Sequence, residues 1–374
     1  MASMTTRAAV LHEPGQDWEI TELDLDEPKA FEVLIRYKAA GLCHSDEHIR
    51  EEGGSHIRLP LVGGHEGAGV VEAVGAGVTR VAPGDHVVTS YIPACGRCRY
   101  CSTGHQNLCD RGLYAGKGCL QDETFRFHRN GEDYGGFCAL GTFSDHTVVS
   151  EYSCVRIDDD IPFEVAALVG CGVTTGWCSA VRAGETQAGE TVVIFGIGGV
   201  GINAVQGARY AGAANVIAID PNPFKLEMAS QLGATFTTSD LEQAREELIG
   251  LTRGQMADLA VVTVGVLEPE ITADAVSLVG KAGRVVLTSV SRADTKTVSL
   301  TGSPLVGWHK RIQGSLAGGS NPIYEMPRLL DLYRSGDLKL DEIITSRYAL
   351  EQVNEGYRDL LAGKNIRGVI LHES

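Results

Sequence analysis

Apolar residues follow two different patterns along this chain of 374 residues. Up to about residue 170 they alternate with polar residues in short runs, separated by Gly, Pro and Asp, as in RAAVLH, EVLIRYKAAG and GAGVVEAVG. Alternation over short segments is typical of half-buried strands. The first part of the chain is therefore predicted to be an irregular all-β domain.

From about Glu190 the apolar runs become continuous and alternate with segments of helical periodicity. The runs are TVVIF, NVIAID, DLAVVTV and GRVVLTSV. Such alternation is typical of a parallel sheet with helices on both faces. After about Gly319, two amphipathic helices and a last strand, RGVILH, are predicted, and we expect that strand to return to the first domain. The prediction is an α/β protein whose first domain comprises residues 1–172 and 320–374 and whose second comprises residues 173–319.

Charge and apolar length narrow the possible roles. A net charge of −16 at pH 7 opposes binding to nucleic acid, whose phosphates it would repel. The longest apolar stretch, residues 192–204, contains four glycines and is too short to span a bilayer, and the N-terminus lacks a signal-peptide core. Of ten cysteines, six have metal-ligand spacing and four are scattered, so we expect a reducing, cytoplasmic location and no membrane partner.

Four of the cysteines lie within fifteen residues, in the run CGRCRYCSTGHQNLC. The spacing C-x2-C-x2-C-x7-C allows four thiolates to close a tetrahedral zinc site. Because four protein ligands leave no position for water or substrate, this zinc would stabilise a loop and take no part in chemistry. The predicted ligands of this structural zinc are Cys95, Cys98, Cys101 and Cys109.

A second set of metal-ligand residue types is spread over three glycine-containing motifs. It comprises Cys43 in GLCHSDEH, His65 and Glu66 in GGHEGAG, and Cys171 in VGCGVTTG. Two cysteines and a histidine leave one position open, as in a catalytic zinc site that polarises an alcohol or carbonyl oxygen. Glu66 is predicted to be a ligand or to lie beside the ligands. A cysteine such as Cys171, taken alone, is more often a small buried apolar residue than a ligand.

A glycine-rich turn, GIGGVG, follows the run TVVIF and opens a predicted helix. Such glycines permit a tight turn, close approach of a pyrophosphate and close helix packing, while the helix N-terminus supplies amide donors. Asp220 ends the next strand, 19 residues after Gly201, where a carboxylate would bind an adenosine ribose and repel a 2′-phosphate. NAD is therefore predicted over NADP; a plain packing turn is the alternative. The predicted contacts are Gly196, Gly198, Gly199, Val200, Gly201 and Asp220.

Together these motifs resemble those of the zinc-dependent medium-chain alcohol dehydrogenases, in the same order and over essentially the whole chain. Longer runs, such as IPACGRCRYCSTGHQNLCD and GKNIRGVI, are most similar to an actinobacterial branch assayed with the artificial acceptor nitroso-dimethylaniline. The resemblance implies a GroES-like irregular β catalytic domain and a Rossmann coenzyme domain with a doubly wound parallel sheet. Members of that branch are nicotinoproteins, which keep NAD(H) bound through turnover and regenerate it with a second redox substrate.

The resemblance also implies roles for individual residues. Ser45 would accept the proton of the alcohol and pass it through the nicotinamide ribose to His48 and water, while C4 of the nicotinamide takes the hydride. Asp46 would hydrogen-bond the far nitrogen of His65 and fix its tautomer, and Tyr91 would narrow the channel beside the zinc. Four further residues are expected to contact the cofactor: His44 and Arg367 at the pyrophosphate, Thr175 near the nicotinamide and Lys225 beside the adenosine ribose.

Without the resemblance, these residues have simpler interpretations. Ser45 and His48, three apart in what reads as a glycine-flanked loop, are then a turn cap and a solvated ring, and Arg367 is a surface charge. His44 stands where many members of the family have an arginine, and its partial charge near neutral pH makes a pyrophosphate contact weaker or pH-dependent. Leu113 stands where the glutathione-dependent formaldehyde branch has an arginine, which disfavours an anionic thiol adduct as substrate.

Three functions follow as hypotheses. The first is an NAD-dependent alcohol dehydrogenase with two zincs per subunit, acting on primary alcohols and aldehydes. The second is a formaldehyde dehydrogenase acting on a thiol adduct, and the third is a non-catalytic module that binds zinc and a dinucleotide. The open metal set and the relay favour an enzyme. The resemblance further implies a homodimer or homotetramer, often formed by pairing the strand around residues 311–316.

Overall fold

The structure, a computed structural model, describes residues 4–54, 57–289, 298, 300 and 302–373. The chain divides into two compact units, the first formed by residues 1–171, 321–336 and 340–374 and the second by residues 172–320 and 337–339. The strands are β1 (Met4–Leu11), β2 (Glu19–Leu25), β3 (Glu32–Gly41), β4 (Leu61–Val62), β5 (Glu66–Val74), β6 (His86–Thr89), β7 (Phe127–Arg129), β8 (Glu132–Gly136), β9 (His146–Ser150), β10 (Cys154–Ile157), β11 (Thr191–Phe195), β12 (Asn215–Ile219), β13 (Phe236–Thr238), β14 (Ala257–Val262), β15 (Val279–Leu287), β16 (Arg311–Gly314), β17 (Ile344–Tyr348) and β18 (Arg367–Leu371). The α-helices are α1 (His44–Glu52), α2 (Arg99–Ser102), α3 (Gly112–Lys117), α4 (Phe163–Val169), α5 (Gly172–Cys178), α6 (Gly201–Tyr210), α7 (Pro223–Gln231), α8 (Leu241–Thr252), α9 (Pro269–Leu278), α10 (Gly302–Gly307), α11 (Pro322–Ser335) and α12 (Val353–Leu361).

The first unit is built around two β layers. Strands β1, β2, β7, β8 and β4 close a barrel, and β10, β6, β5, β3, β18 and β17 form a sheet in that order, with β9 also paired to β3. The alternation seen in the sequence has its expected cause: Val33 and Ile35 of β3 are fully buried, whereas Leu34 and Arg36 between them are only partly so. The irregular β architecture predicted for this part of the chain is confirmed.

Strand β18, close to the end of the chain, pairs antiparallel with β3, so that Val369 lies opposite Gly41. This pairing places Arg367 beside the end of β3, from which α1 follows. Helix α4 packs on β3 and β5 and leads directly to Cys171. Strand β5 begins at Glu66. The sheet therefore brings the starts and ends of elements that are distant in sequence to one place.

The second unit contains a six-stranded parallel sheet in the order β13, β12, β11, β14, β15, β16. Numbered within the unit, this is the order 3-2-1-4-5-6 of the doubly wound Rossmann fold. Val192, Val193 and Ile194 of the central strand β11 are fully buried, because helices cover both faces of a parallel sheet. The predicted fold class is confirmed; the last residue of the predicted run GRVVLTSV, Val290, lies outside the described residues.

One local expectation was wrong. The segment around Ser45 and His48 was read as a loop, and it is helix α1. Asp46 and Glu47 in the first turn and Arg50 in the last turn complement the helix dipole. These charges favour a helix here although glycines flank the segment.

Among the described residues, no single helix is long and apolar enough to cross a bilayer, although the consecutive pair Phe163–Val169 and Gly172–Ala183 meets the length and composition criteria jointly.

Candidate active site and metal centres

His65 is the member of the candidate catalytic metal site that contacts a buried carboxylate. It follows two glycines, and Nδ1 of its ring lies 2.9 Å from Oδ2 of the fully buried Asp46. The other oxygen of Asp46 accepts a hydrogen bond of 2.9 Å from the amide of Gly64, so the carboxylate has a fixed orientation. Burial alone would lower the pKa of His65, but the Asp46 carboxylate raises it well above its ordinary value. This contact leaves Nε2 as the ring nitrogen available to a metal.

Two aromatic side chains contact the His65 ring. Tyr91 and Phe137 contact it edge to face, with ring centroids 5.8 Å and 5.2 Å from that of His65. Tyr91 was expected to narrow the channel beside the zinc, and its ring contacts that of the candidate ligand His65. Phe137 was not anticipated, because nothing in the sequence around it distinguishes it from a core residue.

The four candidate ligands are gathered in the first unit. The donor atoms of Cys43, His65, Glu66 and Cys171 lie within 4.8 Å of one another, and all four residues are buried. A hydrogen bond shared with Cys171 lowers the pKa of the Cys43 thiol well below its ordinary value and raises that of Cys171. A divalent cation would favour deprotonation of the second thiol as well. Two sulfurs and one imidazole nitrogen fit a four-coordinate zinc with one open position.

The Glu66 carboxylate is bound by an arginine at this site. The guanidinium of Arg367 donates a hydrogen bond to Oε2 of Glu66, and both side chains are buried. Gly41 makes the pair possible, since a Cβ at that position would collide with the Glu66 carboxylate. Arg367 was expected at a pyrophosphate; the structure shows it bound to Glu66. Gly41 was missed, because only the pairing of β3 and β18 shows why a glycine is needed there.

Helix α1 orients the residues of the expected relay. Ser45 and His48 are three residues apart on this helix and therefore lie on the same face. Oγ of Ser45 is 3.7 Å from Sγ of Cys43, which places the hydroxyl beside a candidate ligand. His48 is partly exposed, and its ring centroid lies 6.2 Å from that of the exposed His44. A hydroxyl near the ligands and a partly exposed imidazole on the same helix face are compatible with proton transfer outward.

The four-cysteine cluster forms a compact lobe. Sγ of Cys95 lies 3.9 Å from that of Cys101, and Sγ of Cys98 lies 4.0 Å from that of Cys109. These separations are far longer than a disulfide bond of about 2.05 Å. They match the spacing of about 3.8 Å that follows from a tetrahedral zinc with Zn–S bonds of about 2.3 Å. The cluster therefore fits a closed zinc site.

The turn after β11 has the geometry that a dinucleotide requires. Three of its glycines favour this geometry, each for a different physical reason. Gly196 adopts φ +83°, which disfavours a side chain. A Cβ at Gly201 would collide with the carbonyl oxygen of Gly196, so helix α6 packs as closely as a glycine allows. A Cβ at Gly198 would meet nothing within 4 Å, which leaves open space where a pyrophosphate would approach. Gly199 and Val200 complete the turn before α6 begins.

Asp220 lies beside this turn, because Phe195 and Ile219, the last residues of β11 and β12, are paired in register. Its Oδ2 accepts from the amide of Ile197 at 2.7 Å and its Oδ1 from the amide of Asn222 at 2.8 Å. Each oxygen keeps a further lone pair for a ligand hydroxyl.

Two other predicted cofactor contacts also belong to the second unit. Lys225 is partly buried in the first turn of α7, and Thr175 is buried within α5.

Together, these features define a class of protein. One unit carries an open site for a metal and a closed one, and the other has the doubly wound fold and turn of dinucleotide-binding proteins. That combination is typical of an oxidoreductase that depends on a metal and a dinucleotide.

Comparison with known proteins agrees with this class. A family model for the alcohol dehydrogenase GroES-like domain matches residues 29–159, and one for zinc-binding dehydrogenase matches residues 199–335. The NDMA-dependent alcohol dehydrogenase of Amycolatopsis methanolica is 55% identical over 371 residues, which is 99% of this chain and 100% of the relative. A solved alcohol dehydrogenase zinc-binding domain protein from Burkholderia ambifaria matches with a TM-score of 0.92, 31% identity and 100% coverage of both chains. Benzyl alcohol dehydrogenase from Acinetobacter calcoaceticus matches with a TM-score of 0.91 and 29% identity, over 99% of this chain and 100% of that one.

The chain therefore belongs to the zinc-dependent medium-chain alcohol dehydrogenases, and it is an oxidoreductase of the zinc-binding dehydrogenase type. The resemblance drawn from the motifs is confirmed, together with the zinc and the nicotinamide dinucleotide that it implied. The hypothesis of a non-catalytic module is not supported.

Proposed function

We propose that this enzyme interconverts primary alcohols and aldehydes by hydride transfer to NAD, and that it keeps the cofactor bound through the catalytic cycle. The observation that carries the reaction is the buried set of Cys43, His65 and Cys171, with a tautomer-fixing carboxylate behind the histidine. Bound here, zinc would polarise the oxygen of an alcohol or aldehyde. The similarity to benzyl alcohol dehydrogenase supports a primary alcohol as substrate.

The residues of the first unit would then position the zinc and move a proton. Cys43, His65 and Cys171 would hold the metal, while Asp46 keeps the imidazole oriented. Glu66, paired with Arg367, would lie beside the metal as a further potential ligand. Ser45 would accept the hydroxyl proton of the alcohol, and His48 would deliver it to water from the partly exposed side of α1. A second zinc, held by the four cysteines of the lobe, would serve stability alone.

The second unit would bind the dinucleotide. The open space at Gly198 supports pyrophosphate binding there, and the free lone pairs of Asp220 support binding of the adenosine ribose. The carboxylate disfavours a 2′-phosphate, so NAD is the proposed cofactor. Lys225 would add a contact to the ribose, and Thr175 would lie near the nicotinamide. Pyrophosphate contacts from His44 and Arg367 rest on the family resemblance alone.

Retention of the cofactor rests on the relative that is NDMA-dependent and 55% identical over nearly the whole chain. An enzyme that keeps NAD(H) bound needs a second substrate to reoxidise it, so the proposed cycle has two small-molecule partners. Slow release requires tight binding of both redox forms; a nanomolar dissociation constant corresponds to about −12 kcal/mol. The ten cysteines, none of them in a disulfide, support a cytoplasmic location.

The test is to purify the protein without added cofactor and to quantify any nicotinamide dinucleotide released on denaturation. We expect close to one NAD(H) per subunit, alcohol oxidation with nitroso-dimethylaniline as acceptor, and little reduction of added NAD. Protein that is free of cofactor and turns over rapidly with added NAD would refute retention but leave the alcohol dehydrogenase reaction intact. Formaldehyde oxidation that depends on an added thiol would instead favour the thiol-adduct function.

A further inference from the structure

Tyr152 is a buried residue that connects the four-cysteine lobe to the rest of the first unit. Its side chain packs with Cys95, Cys101 and Cys109 in one cluster, and the residue is 8% exposed. The amide of Ala94, next to the first cysteine, donates a hydrogen bond of 2.9 Å to the carbonyl of Tyr152. The Tyr152 side chain thus belongs to the same packed cluster as three of the cysteines.

Three arginines surround this one ring. The guanidinium carbons of Arg111, Arg80 and Arg97 lie 4.6, 4.8 and 5.8 Å from the centroid of Tyr152. Each distance is within the range of a cation–π contact. Three positive charges on one ring are unusual, since such contacts occur about once in 70–80 residues.

The hydrogen-bond partners of these arginines are neutral oxygens; Arg111, for example, donates to the side-chain oxygen of Gln121. The salt bridges found in the described part of the chain include none to Arg80, Arg97 or Arg111, although the protein carries 48 acidic residues. Arg80 donates to the carbonyl of Ala94 at 2.7 Å, while its Nη1 is buried and has no hydrogen-bond partner. Arg80 and Arg111 are half-buried and Arg97 is exposed, so a nearby anion would stabilise chiefly the two partly desolvated charges.

The four thiolates supply that anion. With a zinc ion, four cysteine thiolates carry a net charge of about −2. Burial of Cys95, Cys101 and Cys109 keeps this charge poorly screened by water. The backbone of the arginines takes part too, because the amides of Arg97 and Arg111 donate hydrogen bonds to the sulfurs of Cys95 and Cys109.

We propose that Arg80, Arg97 and Arg111, held against Tyr152, form a cationic collar that neutralises the four-cysteine zinc centre and slows the loss of its metal. These are positioning residues, and Tyr152 acts through them by fixing their location. The inference rests on the structural zinc of the proposed function, and it adds that the metal's retention depends on charges outside its ligand set.

The experiment follows zinc loss from the lobe in the whole purified enzyme. The protein is incubated with a chelator and iodoacetamide, and alkylation of the peptide that carries the four cysteines is measured by mass spectrometry over time. Arg80→Gln and Arg111→Gln should each accelerate alkylation about three- to tenfold, and Tyr152→Leu should do so by at least tenfold, as loss of partly buried cation–π contacts implies. Arg99→Gln is the matched control, since Arg99 is exposed in the same lobe and makes no contact with the ring.

Two further variants separate charge from packing. Tyr152→Phe keeps the aromatic face and should leave the rate unchanged, and Arg111→Lys keeps the charge and should fall between wild type and Arg111→Gln. Added salt should accelerate zinc loss in the wild type more than in a variant that lacks all three arginines, because salt screens the attraction. In cobalt-substituted protein, Arg111→Gln should shift the thiolate-to-cobalt charge-transfer band to lower energy, which a loss of packing alone does not cause.

The possible outcomes distinguish failure of the collar from failure of the structural zinc site. Equal rates for Arg99→Gln, Arg80→Gln and Arg111→Gln, or a Tyr152→Phe rate as high as that of Tyr152→Leu, overturn the collar. Wild-type protein that holds no metal at the lobe overturns the structural zinc itself, while the alcohol dehydrogenase reaction at the other site stays measurable.

Discussion

At the scale of single residues, Asp220 combines a structural and a selective role. Two backbone amides hold its carboxylate in place, from Ile197 on one oxygen and from Asn222 on the other. The carboxylate is therefore rigid before any ligand binds, so little conformational entropy is lost when a ribose is bound.

Replacement of Asp220 by Asn should reduce discrimination against NADP. The amide side chain still offers one acceptor, but the charge that repels a 2′-phosphate is gone. We expect the ratio of NAD to NADP affinity to fall about ten- to a hundredfold, which is about 1.4–2.7 kcal/mol. Calorimetric titration of cofactor-depleted protein measures this ratio. Asp240→Asn, at the N-cap of α8 in the same unit, is the control and should leave it unaltered; equal affinity in the wild type would contradict the assignment.

His48 lies on the same face of α1 as Ser45, and its proposed role is to pass the substrate proton to water. Substitution by Ala should slow alcohol oxidation near neutral pH at least tenfold, because the proton from Ser45 loses its route to water, as for other general-base groups. Imidazole buffer should restore part of the rate. The measurement is a pre-steady-state burst with the bound cofactor, with and without imidazole. An unchanged rate and no response to buffer would leave His48 as a surface residue of α1.

At the scale of elements, the two metal sites are built in opposite ways. The lobe takes its four ligands from fifteen consecutive residues, with Cys98 also capping the short helix α2. The other site takes its ligands from the start of α1, the start of β5 and the end of α4. A lobe of this kind depends on its metal for order, whereas the sheet around the other site is ordered by its own core.

Serine substitutions should therefore separate the two metals. Cys101→Ser should remove one zinc per subunit and lower the melting temperature by about 5–10 °C, which corresponds to a few kcal/mol, with residual turnover. Cys171→Ser should abolish turnover while the melting temperature changes less. Metal analysis and calorimetry on the same preparations provide the readout. Active wild-type protein with fewer than two zincs per subunit would contradict the assignment.

At the scale of the whole molecule, the six-stranded sheet ends in β16, a short edge strand. Leu316 is 50% exposed beside it, and Trp308 before it is 48% exposed. An exposed edge strand has backbone N–H and C=O groups that can pair with another chain, and apolar neighbours favour such an interface. This edge supports the expected homodimer or homotetramer, formed by pairing through the strand around residues 311–316.

Leu316→Lys should weaken that assembly. A charge at a half-buried apolar contact should raise the subunit dissociation constant roughly tenfold or more, since about 1.4 kcal/mol corresponds to each factor of ten. Sedimentation or light scattering across a dilution series measures it. Leu113→Lys, at a more exposed leucine of the zinc lobe, is the matched control. A wild type that is monomeric at micromolar concentration would rule out this assembly.

The amino-acid sequence by itself determined the features that depend on local patterns. Continuous runs such as Thr191–Phe195 indicated a parallel sheet, because strands covered on both faces exclude polar residues. Glycine spacing indicated the dinucleotide turn, and the four clustered cysteines indicated a closed metal site, since ligands close in sequence need no tertiary contact to meet. Metal-ligand residue types in three glycine-containing motifs indicated a second, open metal site around Cys43, His65 and Cys171.

Only the tertiary structure decided what distant segments do together. The pairing of β3 with β18 binds Arg367 to Glu66 and makes a glycine necessary at position 41, a relation that spans more than 300 residues. The helix at His44–Glu52 was read as a loop, because its stability comes from dipole complementarity and packing rather than from a cap that the sequence displays. The collar around Tyr152 joins Arg80 to a lobe that begins fifteen residues later. The helix at His44–Glu52 was therefore missed for a local reason, the charges in its end turns. For the Arg367–Glu66 pair and the collar the physical cause is different: contacts between separate elements leave no periodic pattern in the sequence, and only the folded chain brings them together.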